Sequence, residues 1–284
     1  MLEQAAGLPS RALEAIADLE RRVVEADGGR LKLEWGRLRG RAGDRVEDLL
    51  WWDGDRLLGF LGLYGFGSTI ELGGMVAPDA RGRGIGGALV DAALPLCRER
   101  GARPVLLIVP RPSAAGKRLA LRRGGRLDHS EHALVLNGDP NQGPHDPELS
   151  LRPATAADRP FVSRLLAIAF GTPEDDEAGD PYMPADSADG RTMVVEVSGS
   201  AVGALRITRN GDEAGIYGFA VEPSRQGRGI GRDALRIACE QLRSTGSRRI
   251  GLEVAVDNDR ALGLYLSVGF TPVITEDYFA LPLT

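Results

Sequence analysis

Apolar side chains along this chain recur with two different periods, and each period predicts its own kind of element. Leu13, Ile16, Leu19 and Val23 fall at helical spacing near the start. Ile230, Ala234, Ile237, Ala238 and Leu242 do so again, from Gly229 to about Arg243. A third helix, capped by Thr155, continues through Phe161, Leu165, Leu166 and Ile168, and a fourth spans 260–268. Short runs rich in β-branched residues lie between them. Residues 149–152 predict a strand, 193–197 and 201–208 a hairpin, 216–221 and 250–254 two further strands, and 278–283 a closing strand. The second half therefore reads as a mixed α/β domain, strands first and a crossover helix after a glycine-rich loop.

The chain also repeats itself. Val76, Pro78, Gly82, Arg83, Gly84, Ile85 and Gly86 recur 145 positions later as Val221, Pro223, Gly227, Arg228, Gly229, Ile230 and Gly231. The offset persists through Gly101 and Gly246, Leu107 and Leu252, and Gly124 and Gly269, a register that an accidental glycine-rich match would not keep. Upstream, Gly54 matches Gly199, whereas Gly59 and Gly203 fall one residue out of step, as a hairpin loop differing by one residue predicts. Residues 138–148, rich in proline and glycine, predict an exposed connection. The expected organisation is a first domain over 1–137, a linker over 138–148 and a second domain over 149–284. No counterpart of the strand at 149–152 is visible in the first half. Pro95 falls inside the helix after the first glycine loop and predicts a kink or an early end.

Composition narrows the setting. With 284 residues, 43% of them apolar and 26% charged, the chain suits two packed domains, and it has no apolar run of the roughly 20 residues that a membrane helix needs. A net charge of −5 argues against a nucleic-acid partner. Two cysteines, Cys97 and Cys239, make no disulfide framework, and the N-terminus lacks the pattern of a secretion signal, so the expected location is the cytoplasm. His129, His132 and His145 read as surface or loop residues, and no metal is expected.

The repeated loop is the first candidate for chemistry. Arg81, Gly82, Arg83, Gly84, Ile85 and Gly86 in one copy, and Gln226, Gly227, Arg228, Gly229, Ile230, Gly231 and Arg232 in the other, each follow a strand and open a helix. Such a turn points successive backbone N–H groups at one centre, and the helix N-terminus adds partial positive charge, so the loop suits a pyrophosphate. Arg83 and Arg228 add charge-assisted contacts. Gly82, Gly84 and Gly87 also satisfy the spacing of a dinucleotide-binding turn, but the third glycine becomes Arg232 in the second copy, and a charged stretch separates strand from glycines.

Val221 and Pro223, followed by Gln226, Gly229 and Gly231, resemble the signature pyrophosphate arm of the Gcn5-related N-acetyltransferase (GNAT) superfamily. Residues 151–158 resemble its opening strand and helix. The resemblance covers nearly all of the second half and most of the first. It implies two tandem GNAT-like domains of α/β (mixed α+β) class, each a mostly antiparallel, splayed sheet flanked by helices. It also implies acetyl-CoA as co-substrate, with its pantetheine arm between two strands against the backbone of Phe219, Ala220 and Val221 and, in the first half, Gly74 to Val76.

Residues 252–270 are similar to a block in ribosomal-protein alanine acetyltransferases of the superfamily, which implies Glu253 as base and Tyr265 as acid. An attacking amine must lose a proton and a departing thiolate must gain one, so a carboxylate and a phenol make a sufficient pair. The backbone N–H of Val221 is placed to stabilise the developing oxyanion. Glu253 is equally readable as a solvent-facing strand residue, Tyr265 as core, and Asn258, the remaining candidate for cofactor contact, as a helix cap. Stepping back 145 positions finds Ile108, Ser113 and Ala120 in place of Glu253, Asn258 and Tyr265, so the first domain is expected to be degenerate. Tandem pairs with an active second half resemble the mycothiol synthases, which carry Glu where this chain has Gly215. Glu174, Asp175, Asp176, Glu177 and Asp180 read either as an attractor of a cationic amine or as a solvated loop. The expected function is acetyl-CoA-dependent N-acetylation of a primary amine on a small molecule or protein. The alternative is an acyl-CoA-binding regulatory or scaffold protein without turnover.

Overall fold

The computed structural model describes residues 1–143, 145–171 and 190–283; Glu174, Asp175, Asp176, Glu177 and Asp180 lie outside them. Two compact units emerge, one of Met1–Glu131 with Ile274–Thr284, the other of His132–Val273. The first contains β1 (Leu2–Ala5), α1 (Ser10–Asp27), α2 (Trp35–Arg39), β2 (Asp48–Asp53), β3 (Arg56–Phe66), β4 (Thr69–Val76), α3 (Ile85–Glu99), β5 (Val105–Pro110) and α4 (Ala114–Arg122). Strand β6 (Arg126–Leu136) passes into the second unit, which continues with β7 (Leu149–Pro153), α5 (Arg159–Phe170), β8 (Gly190–Val197), β9 (Ser200–Asn210), β10 (Glu213–Val221), α6 (Ile230–Ser244), β11 (Arg249–Ala255) and α7 (Asp259–Val268). Strand β12 (Thr271–Leu281) then returns to the first. Strand order is β1-β2-β3-β4-β5-β12-β6 in the first unit and β6-β11-β10-β9-β8-β7 in the second, giving each a mostly antiparallel, splayed sheet flanked by helices.

The first unit departs from the sequence expectation at its opening strand and at Pro95. The first unit does have an opening strand, β1, paired antiparallel with β2 from Leu2↔Trp51 to Ala5↔Asp48. Four residues with only Ala5 buried carry no alternating signal, because an edge strand pairs through its backbone. Helix α3 continues past Pro95 to a length of 15 residues, the same as α6, so the proline does not end it early. Pro95 and Asp91, whose carbonyl loses its N–H partner, both lie on the exposed face, where that loss costs least. In α5 the buried stripe is Val162, Leu165 and Leu166, and Ile168 stays 60% exposed.

His145 is exposed and outside any regular element, as a surface or loop reading has it. His129 and His132 lie within β6, and the His129 ring stacks on Tyr278 at 4.2 Å.

In both units one parallel pairing joins the strand before the glycine loop to the strand after the crossover helix. It is short. Only Ile70–Leu72 pair with Val105–Leu107, and only Glu213–Gly215 with Arg249–Gly251, after which the strands part.

The one-residue step in the repeat has a different origin from a hairpin loop. Both hairpins turn on two residues, Gly54–Asp55 between Asp53↔Arg56 and Ser198–Gly199 between Val197↔Ser200. Gly59 pairs with Val76 as Gly203 pairs with Val221, so these glycines are equivalent. The extra residue lies in β10, which has 9 residues to the 8 of β4. Opposite Leu61, β4 places Gly74 alone; opposite Leu205, β10 places both Gly218 and Phe219, a β-bulge with Gly218 at φ 52°.

Strand β12 completes the first unit's core. Its Phe279 and Leu281 are 3% and 5% exposed, and it pairs antiparallel with β5 from Glu276↔Pro110 to Leu281↔Val105. Asp277 accepts hydrogen bonds from Arg111 Nη2 at 2.7 Å and Ser130 Oγ at 2.8 Å. Phe279→Ala is expected to cost about 3–5 kcal/mol. Hydrogen exchange checks it: protection is lost in β5 and α3 of the first unit, and loss confined to α6 and β11 would contradict the assignment of β12.

Candidate active site

The glycine loop has the same backbone in both copies. Gly82 and Gly84 take φ of 76° and 82°, Gly227 and Gly229 φ of 78° and 88°, in the left-handed region that favours glycine. A Cβ on Gly82, Gly84 or Gly229 would meet no protein atom within 4 Å. The glycines are therefore required by backbone conformation, and the space above them is open to a ligand. Gly84 and Gly229 are the N-caps of α3 and α6, with no side-chain hydrogen bond to the first turn, so each helix presents its N-terminal N–H groups at the loop. Ile85 and Ile230 are buried core residues, and only their backbone serves the loop.

What surrounds the loops differs. In the second copy, Gln226 Nε2 donates to the Val221 carbonyl at 2.9 Å and its Oε1 accepts from Arg260 Nη1 at 2.9 Å. Arg232 Nε donates to Ser267 Oγ at 3.1 Å, joining the first turn of α6 to α7. A Cβ on Gly231 would lie 3.0 Å from Leu264, so that close approach also wants glycine, whereas the nearest atoms to one on Gly86 stand at 3.5 Å. In the first copy, Arg81 Nε reaches the Val76 carbonyl at 3.2 Å while its two terminal nitrogens grip Asp27 at 2.8 and 2.7 Å. Arg83 turns back to the Asp79 carbonyl at 2.9 Å. Both first-copy guanidinium groups thus serve the protein's own oxygens.

Around the parting of β10 and β11, side chains sort by strand alternation. Ala214 and Ile216, with Ile250, Leu252 and Val254, enter the core shared with α6 and α7. Gly215 and Tyr217 on β10, and Glu253 on β11, alternate to the opposite face. Tyr265 comes from α7 on the core side, 9% exposed, its ring centroid 6.2 Å from that of Phe270. Burial pushes its phenol up to about 12, so it keeps its proton across the neutral range. Glu253 and Tyr265 thus lie on opposite faces of the sheet. Asn258 caps α7, its side chain accepting from Ala261 N at 3.0 Å, and Ser113 caps α4 through Gly116 N at 3.2 Å.

Phe219, Ala220 and Val221 follow or form the bulge, so the backbone assigned to the pantetheine arm lies where the β9–β10 ladder is interrupted. The first unit has no such interruption, since β3 and β4 pair without a shift from Gly59↔Val76 to Phe66↔Thr69. Its Ile108 packs with Leu106 and Tyr278, and Ala120 is fully buried. Sequence reasoning missed the bulge and Tyr217. The change of offset from 144 (Gly67 and Gly211) to 145 (Val76 and Val221) was the signal for the first.

Residues 13–124 and 160–270 match the Acetyltransferase (GNAT) family. A mycothiol acetyltransferase from Kytococcus sedentarius is 30% identical over 296 residues, covering 95% of this chain and 94% of that protein. Among solved structures, a GCN5-related N-acetyltransferase from Sphaerobacter thermophilus superposes with a TM-score of 0.76 at 20% identity, covering 100% of this chain and 95% of its own. A tandem GNAT protein from the clavulanic acid biosynthesis pathway gives 0.69 at 18% identity, covering 100% and 99%. With a family match in each copy of the repeat and a relative aligned over nearly its whole length, the chain belongs to the GNAT family as a tandem-domain acetyltransferase.

Proposed function

We propose that the second unit transfers the acetyl group of acetyl-CoA to a primary amine, and that the first unit takes no part in the chemistry. The observation that carries this reading is the asymmetry at the strand parting: bulge, carboxylate and buried phenol occur together in one copy only. The N–H groups from Gly227 to Arg232 would hold the diphosphate, with Arg228 beside them. Glu253 accepts the proton lost as the amine nitrogen attacks the thioester carbonyl carbon. The N–C bond forms, the C–S bond breaks, and Tyr265 gives its proton to the departing thiolate, recovering one from solvent. Because the two groups stand on opposite faces, the acceptor enters from the face of Gly215 and Tyr217.

The relative named as a mycothiol acetyltransferase makes the corresponding amine the first acceptor to test. Where mycothiol synthases carry Glu, a Cβ on Gly215 would stand 2.5 to 2.7 Å from the Tyr217 ring, so this chain has rebuilt that part of the acceptor face. A panel of amines, including amino sugars, polyamines and peptide N-termini, is therefore tested alongside.

Tyr265→Phe is expected to lower kcat by roughly 10²-fold or more while leaving the acetyl-CoA dissociation constant unchanged. Since the phenol is pushed up to about 12, the wild-type rate should show no alkaline fall below pH 10 from this group. An alkaline limb below pH 10 that vanishes in Tyr265→Phe would overturn the raised titration of this phenol, and an unchanged kcat in Tyr265→Phe would remove Tyr265 as the acid. A second comparison separates the units: Gly229→Glu should abolish thiol release, and Gly84→Glu should leave most of it. Loss of activity in a folded Gly84→Glu protein would overturn the division of labour.

A further inference from the structure

The link between α1 and α2 starts exposed at Gly28 and Gly29 and is half-buried from Arg30 to Glu34. Leu33 N bonds to the Leu31 carbonyl at 3.0 Å, a tight turn that presses the Lys32 carbonyl to within 2.7 Å of where a Cβ on Gly73 would be. Leu31, Lys32 and Leu33 thereby line the opening between β4 and β5, with Gly73, Gly74, Ile108 and Pro110, and leave a cavity of about 10 Å³. That is room for about one water molecule, far less than a pantetheine arm needs.

The Lys32 side chain is 9% exposed, and an ammonium so buried requires partners. Its Nζ donates to the Tyr278 hydroxyl at 2.6 Å and stands 3.5 Å from Glu71 Oε2 and 3.7 Å from Glu131 Oε2. The Tyr278 hydroxyl donates in turn to Glu131 Oε2 at 2.7 Å, which turns its lone pairs toward the ammonium. Nζ is 5.1 Å from the ring centroid, beyond the hydroxyl end, so the contact is a hydrogen bond and not a cation held over the ring face. Two carboxylates and a phenol oxygen converging on one buried position make a site for a primary ammonium.

We propose that the first unit is closed from within: residues 31–33 fill the parting of β4 and β5, the Lys32 ammonium occupies a primary-amine site built by Glu71, Glu131 and Tyr278, and the chain consequently binds one acetyl-CoA, not two. Arg81 is held by Asp27 and Arg83 by the Asp79 carbonyl, so a diphosphate at this loop would have to displace both contacts to gain their charge. The inference concerns the first unit and stands apart from which residues of the second perform the chemistry.

The full-length Lys32→Ala protein lacks the three methylenes and the amine that n-propylammonium supplies. Its thermal midpoint should fall by several degrees. Tens of millimolar n-propylammonium chloride should raise it again, with no equal rise in wild type, while n-propanol or matched sodium chloride does nothing. Equal responses of variant and wild type to the amine would overturn the site. If Lys32→Ala does not fold unaided, refolding with and without n-propylammonium reads the same site, and folding in neither overturns it. Calorimetric titration of the wild-type chain with acetyl-CoA should give one molecule bound per chain, and two would overturn the closure. No binding at all would sink the reading of the second unit and leave the amine measurement to decide this one.

Discussion

A parallel pair of strands keeps its ladder only while the strands stay about 4.8 Å apart, and each unit gives that ladder up after three paired residues. Backbone N–H and C=O groups that leave a ladder inside a protein must find other partners, since an unmet buried group costs about 1–3 kcal/mol. The two units meet this demand differently. In the proposed function the second leaves the opening to the arm of acetyl-CoA, and in the proposed closure the first fills it with residues 31–33 of its own chain.

The bulge in β10 sharpens the difference. One residue added to a strand turns every later side chain to the other face unless the extra residue is absorbed locally. Gly218 and Phe219 absorb it together, so Val221 keeps the pairing with Gly203 that Val76 keeps with Gly59. The glycine loop is consequently delivered to the same place in both copies, while the strand that leads to it is interrupted in one and continuous in the other. A single inserted residue thus changes the site without disturbing the frame.

Ionic groups deep in the first unit hold that frame. Asp48 has no exposed surface, and burial drives its carboxyl upward against the pull of Arg41, which bonds to it at 2.9 and 3.0 Å. Glu276, equally buried, is paired with Arg30 at 3.4 Å, and Asp277 with Arg111 and Ser130. Such pairs add little net stability, but breaking one strands a charge, so they select one arrangement of strand β12 over its alternatives. The same logic applies to Lys32, whose ammonium and three oxygen partners fix the course of the link between α1 and α2.

The sequence alone determined the duplication, the order of elements, the glycine loop and the division between a copy that keeps Glu253 and Tyr265 and one that has Ile108 and Ala120. These are properties of local period and spacing, which survive without knowledge of neighbours. It also carried the bulge, as a change of offset between Gly67 and Val76, although a repeat shows only that a residue was inserted and pairing shows where. Strand β1 escaped notice because an edge strand bonds through its backbone and leaves no alternation. Only the tertiary structure decided that β12 belongs with β5, that Glu253 and Tyr265 lie on opposite faces of the sheet, and that Lys32 meets Glu71, Glu131 and Tyr278. Each of those facts joins residues far apart in the chain, and no local pattern records a partner that only the folded sheet brings near.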